Sequence, residues 1–80
     1  MMDLARRFEE AGYEVKLGTK ADWEESNDII VSKNGEEITV HYIPQYAGGA
    51  YDVYMGGEKL FFTEFEDIFE HVTGEKFYEN

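Results

Sequence analysis

The dipeptide Asn34-Gly35 constrains this chain more than any other feature. A two-residue hairpin loop of type I′ needs positive φ at both central positions, and Asn followed by Gly adopts it most readily. A loop there pairs Lys33 with Glu36, Val31 with Ile38 and Ile29 with Val40. The apolar alternation gives the same register independently. Ile29, Val31, Ile38, Val40 and Tyr42 share one face, while Asp28, Ile30, Ser32, Glu37, Thr39 and His41 share the other. A slip of one residue would carry the whole apolar set into water, so the hairpin has one sensible register.

Other segments extend this nucleus. Gly56-Gly57 is a second hairpin turn, which pairs Val53 with Leu60 and Tyr51 with Phe62. Tyr13, Val15 and Leu17 alternate with Glu14 and Lys16, the period of a half-buried strand. Leu4, Phe8 and Ala11 form a helical stripe, predicting a helix over 3–11 with Asp3 as its cap and Gly12 as its left-handed stop. Phe65, Ile68, Phe69 and Val72 form another stripe, predicting a helix over about 64–73 that ends at Gly74. Thr63-x-x-Glu66 has the form of a capping box before it. Residues 18–27 are polar and read as a loop, and 43–50 break the alternation. The predicted fold is α+β: a single domain over 1–80, with a small antiparallel sheet of about four to five strands. The N- and C-terminal helices pack on one face, and the other face stays wet.

A domain of 80 residues has one small core, and this chain has no cysteine to staple it. That absence also excludes a thiolate zinc site and a cysteine nucleophile. Six Phe, six Tyr and one Trp supply dense apolar packing instead. Met1-Met2-Asp3-Leu4-Ala5-Arg6-Arg7 lacks the basic-then-apolar order of a secretory signal, and no apolar run is long enough to span a membrane. The expectation is a cytoplasmic monomer.

Charge bears on function. Eighteen acidic residues against seven Lys and Arg give a formal net charge of -11. Such a surface repels phosphate backbones and anionic membranes and attracts basic clefts. The chain is therefore not expected to bind nucleic acid or membrane, but it suits a protein that binds nucleic acid. No catalytic constellation stands out. His41 and His71 fall on different elements, so a metal site is not expected, nor is a cofactor. Asp52, Glu58 and Lys59 lack the acid-x-Lys spacing of metal-dependent nucleases, and neither Ser26 nor Ser32 sits in a strand-to-helix elbow. The acids fall into four groups. These are Glu9, Glu10 and Glu14; Asp22, Glu24, Glu25 and Asp28 around Trp23; Glu36 and Glu37 at the hairpin tip; and Glu64, Glu66, Asp67 and Glu70 on the last helix. A solvated face is the ordinary reason for such groups. Trp23 is either a core plug or a binding anchor.

Asp3-Leu4-x-Arg6, Tyr13-x-Val15-Lys16-Leu17, Ile29-Ile30 and the hairpin Asn34-Gly35-x-Glu37 resemble the small acidic phage anti-CRISPR proteins. The likeness is greatest to the type II-A members that inhibit the single-protein RNA-guided effector nuclease. It covers about residues 3–40, without a gap from Asp3 to Ile30, and the hairpin tip here is shorter. Beyond that it rests on the acidic, aromatic helix from Glu64 to Glu70. The resemblance implies a DNA mimic acting in the cytoplasm of a bacterial host. It would occupy the basic cleft in which the effector, loaded with guide RNA, reads its PAM with arginines, and so block target DNA. The implied contact is Glu37, with Glu36, Glu64, Glu66 and Asp67 matching loosely. Asp22, Trp23, Glu24 and Glu25 join them as candidate contacts on their charge and the exposed-anchor reading of Trp23. Gly12 stands where the family has an acid, and the shorter tip lacks another, which leaves the docking open. The alternatives are an acidic antitoxin or other phage-encoded inhibitor of a different basic protein, and a small enzyme or structural domain with no mimicry.

Overall fold

The computed structural model describes residues 2–17 and 28–78. In chain order these form α1 (Met2–Glu10), β1 (Glu14–Leu17), β2 (Asp28–Lys33), β3 (Glu36–Ile43), β4 (Ala50–Met55), β5 (Glu58–Phe62) and α2 (Phe65–Thr73). The five strands make one sheet in the order β1-β2-β3-β4-β5, every neighbour antiparallel. The fold is α+β, as the sequence predicts.

Both predicted hairpins have the predicted register. Lys33 pairs with Glu36, Val31 with Ile38, Val53 with Leu60 and Tyr51 with Phe62. Asn34 has φ 55° and Gly35 φ 84°, the positive pair that the tight turn demands. The inner sheet face supplies Ile29, Val31, Ile38, Val40 and Val53 to the core, and the helices supply Leu4, Phe8, Ile68 and Phe69. Each such side chain contributes about 1.5–3 kcal/mol by leaving water. Helix α1 lies against β1 and β2, α2 lies against β5, and the helices touch each other. Phe8 and Phe69 meet edge to face, centroids 5.2 Å apart at 64°. No helix among the described residues is long and apolar enough to cross a membrane.

The chain after α2 turns back over the helices. Gly74, at φ 78°, ends α2 with its N–H donated to the Glu70 carbonyl at 2.8 Å. Phe77 then returns to the core, its ring 5.8 Å from that of Phe69. Arg7 fastens this segment. Its Nε donates to the Phe77 carbonyl at 2.8 Å and its Nη2 to the Lys76 carbonyl at 3.0 Å, while the guanidinium lies 4.5 Å over the Phe69 ring.

Element ends depart from expectation in three places. Helix α1 already includes Met2, so Asp3 lies in its first turn, where a carboxylate still favours the helix dipole. Tyr13 precedes β1 because its N–H closes the end of α1 on the Phe8 carbonyl at 3.0 Å. The capping box at Thr63 does not form. The residue before α2 is Glu64, extended at φ -133° and ψ 129°, and no side chain caps it. Thr63 is therefore one residue too early to serve.

Candidate functional site

The sheet's topology sorts the acids. Strands β1, β3 and β5 all start at the end where β2 and β4 finish, because each neighbour is antiparallel. Glu14 opens β1, Glu36 and Glu37 open β3, and Glu58 opens β5. All four are exposed, so three alternate strands carry carboxylates along one rim. At about 4.8 Å between neighbouring strands, the rim spans roughly 19 Å. Glu14 of the first acidic group thus joins Glu36 and Glu37 of the third, and Glu58, which belongs to none, joins them. Register places Glu14 opposite Ser32 and Ser32 opposite Glu37.

Little at the rim neutralises these charges. Lys33 donates from Nζ to the Ala11 carbonyl at 2.9 Å and lies 5.2 Å over the Tyr13 ring. It joins α1 to the hairpin, and its register partner across the turn is Glu36. Among the described residues, Arg7 pairs with Glu10 at 3.7 Å, and the rim glutamates enter no ion pair. Lys59 follows Glu58 in β5, and Lys16 lies two residues along β1 from Glu14.

The last candidate group lies elsewhere. Tyr42 pairs with Tyr51, and Tyr51 pairs with Phe62 at the end of β5. Tyr42 lies six positions along β3 from Glu36, about 20 Å of strand. Helix α2 therefore starts at the opposite end of the sheet, and Glu64, Glu66 and Asp67 do not join Glu36 and Glu37. Glu66 is also engaged, accepting the Tyr78 hydroxyl at 2.9 Å. Glu70 accepts the Phe77 N–H at 3.2 Å. These two acids hold the returning segment, while Glu64 and Asp67 remain exposed. Asp22, Trp23, Glu24 and Glu25 lie outside the described residues.

On the outer sheet face Ile30, Thr39, His41 and Asp52 are half-buried, while Lys16, Tyr54 and Phe61 are exposed. His41 Nδ1 shares a hydrogen bond with Asp28 Oδ1 at 2.5 Å, across neighbouring strands. His71, on α2, sets its ring 5.7 Å from that of Phe62. Among the described residues, no cluster of three or more His, Asp or Glu side chains is gathered as metal ligands would be. Sequence reasoning missed that Glu14 and Glu58 belong with Glu36 and Glu37. The signal was present, since all four open strands in alternation. It became legible only once β1 and β5 were placed at the two edges.

Three tyrosines respond to this environment. Burial raises the Tyr13 hydroxyl above its usual 10.0, and the charges of Glu36 and Glu75 raise it further. Burial also raises Tyr51, with Tyr42 and Glu66 adding to it. The hydrogen bond to Glu66 raises Tyr78. A raised acid favours the folded state below its unfolded pKa, and that stability is lost as pH rises through the folded value. Melting temperature should therefore hold up to about pH 10 and fall beyond it. A Tyr51→Phe protein should show a smaller fall. An equal fall would exclude Tyr51 as a source.

No protein-family model matches the chain, and no match is found among curated proteins or solved structures.

Proposed function

We propose that this protein is an inhibitor that works by charge mimicry, with its carboxylate rim entering a basic cleft built for duplex phosphates. The observation that carries the reading is the rim itself: Glu14, Glu36, Glu37 and Glu58 on alternate strands, exposed and, among the described residues, without ion pairs. Its length of roughly 19 Å corresponds to about five or six base-pair steps at 3.4 Å each. Charge-assisted contacts between carboxylates and arginines are short and strong, so such a cleft would hold the rim well. The resemblance of residues 3–40 to anti-CRISPR proteins supports the specific partner, a type II CRISPR effector nuclease with its guide RNA. The cleft would be the one that reads the PAM and admits target DNA, and the place of action would be the bacterial cytoplasm.

The order of addition tests this. Effector–guide complex is mixed with the protein before or after target duplex, and DNA binding is read by electrophoretic shift. Protein added first should abolish the shift, and protein added second should change it little, because the cleft is then filled. Inhibition should weaken with salt, since exposed charges are screened over about 8 Å at physiological ionic strength. Equal inhibition in both orders would exclude competition for the cleft. No inhibition of any type II effector would favour the acidic-antitoxin reading instead.

A further inference from the structure

The sheet face turned away from the helices carries a patch that the rim does not explain. Phe61 and Tyr54 stand on it from β5 and β4, 52% and 45% exposed. Tyr46, 51% exposed, reaches it from the turn after β3. The Tyr46 and Phe61 rings meet edge to face, centroids 5.4 Å apart at 75°. The turn that carries Tyr46 is braced. Gly49 donates its N–H to the Tyr46 carbonyl at 2.7 Å. At φ +84° Gly49 lies so close to Tyr42 that a Cβ would fall 2.9 Å from its ring. Tyr46 is thus set by a fixed turn, not by a free loop. Rings grouped in this way on a small acidic domain mark a contact surface rather than scattered apolar exposure.

Charge selects the occupant. Asp28, His41, Asp52 and Phe61 form one cross-strand row, so Asp52 stands directly opposite Phe61. The neighbouring row runs from Lys16 through Ile30, Thr39 and Tyr54 to Lys59. A second copy of this chain would bring another charge of -11. Nucleic acid and anionic membrane are repelled in the same way. An uncharged apolar segment would desolvate Asp52, which among the described residues enters no ion pair even with Lys59 one row away. A guanidinium meets both demands, since its plane stacks on aromatic rings and its N–H fork pairs with a carboxylate.

We propose that this face binds an arginine-bearing basic segment of a protein partner, with Phe61, Tyr46 and Tyr54 as the stacking surface and Asp52 as the counter-charge. The inference rests on the reading that the partner is basic, and it adds a short-range anchor to the long-range attraction of the rim. A rim of carboxylates draws any polycation. Aromatic rings beside a carboxylate distinguish arginine from lysine.

The test compares a nona-arginine with a nona-lysine peptide at physiological ionic strength, following backbone amide shifts. Nona-arginine should shift the amides of β4, β5 and the turn at Tyr46. Phe61→Ser and Tyr54→Ser should each weaken nona-arginine about fivefold and nona-lysine less than about twofold. Among the described residues Tyr54 enters no ring pair, so its variant keeps the test intact should Phe61→Ser loosen the edge strand. Amide shifts confined to the rim, or equal weakening of both peptides, would overturn this inference and leave charge mimicry standing. No binding of either peptide would overturn both.

Discussion

A Phe69→Ala protein is expected to melt about 15–30 °C below the parent, or to show no cooperative transition at physiological temperature. Phe69 is fully buried at the centre of the helix layer. Phe8 and Phe77 meet its ring edge-on, and the Arg7 guanidinium covers it. Removing the ring takes away its own transfer energy and leaves a cavity that three neighbours cannot close, at about 3–5 kcal/mol. A domain of this size holds roughly 4–12 kcal/mol in all. The loss also reaches beyond α2, because Arg7 and Phe77 both use that ring to hold the returning segment. Circular dichroism against temperature reads the result. A melting point within a few degrees of the parent would mean that α2 does not dock through this side chain.

The second large effect separates position from bulk charge. Glu36→Lys with Glu37→Lys, and Glu64→Lys with Asp67→Lys, each move the net charge from -11 to -7. The first pair lies on the rim and the second at the opposite end of the sheet. Placing lysines against a basic cleft sets like charges together, a penalty of several kcal/mol. The rim variant should need about a hundredfold more protein for half-inhibition in the DNA-shift assay. The α2 variant should need no more than about threefold, the share due to weakened long-range attraction. Melting points must be taken alongside, because Glu64 and Asp67 also favour the start of α2 through its dipole. Equal losses would reduce the effect to net charge. A larger loss from Glu64 and Asp67 would move the docking surface to the start of α2.

Local signals in the sequence were reliable where the physics is local. Asn34-Gly35 and Gly56-Gly57 set two registers because turn geometry and side-chain alternation act over a few residues. The stripe of Phe65, Ile68, Phe69 and Val72 located α2 for the same reason. Thr63-x-x-Glu66 misled because its form is shared by any extended residue pair that precedes a helix by one position too many. The bond from Arg7 to Phe77 spans 70 positions and left no trace in either local pattern. The candidate site was only partly legible. Glu36 and Glu37 were visible as a pair, but their union with Glu14 and Glu58 depends on strand order. The ring pair of Tyr46 and Phe61 depends on a turn folding back across the sheet, which no periodicity announces.

Strand order along the sheet repeats strand order along the chain. Every ladder is therefore closed by the connection that directly precedes it, and none waits for a distant segment to arrive. Such a meander keeps the mean sequence separation of contacts low, which favours rapid folding. The exception is the closure of α1 on α2 and on the segment after it, where residues 69 and 70 positions apart are joined through Arg7. Loop-closure entropy grows only with the logarithm of length, so this late step is affordable once the sheet exists. Assembly would then run from the hairpins outward. The carboxylate rim would be in place as soon as β1, β3 and β5 are aligned, before the helices have sealed the core.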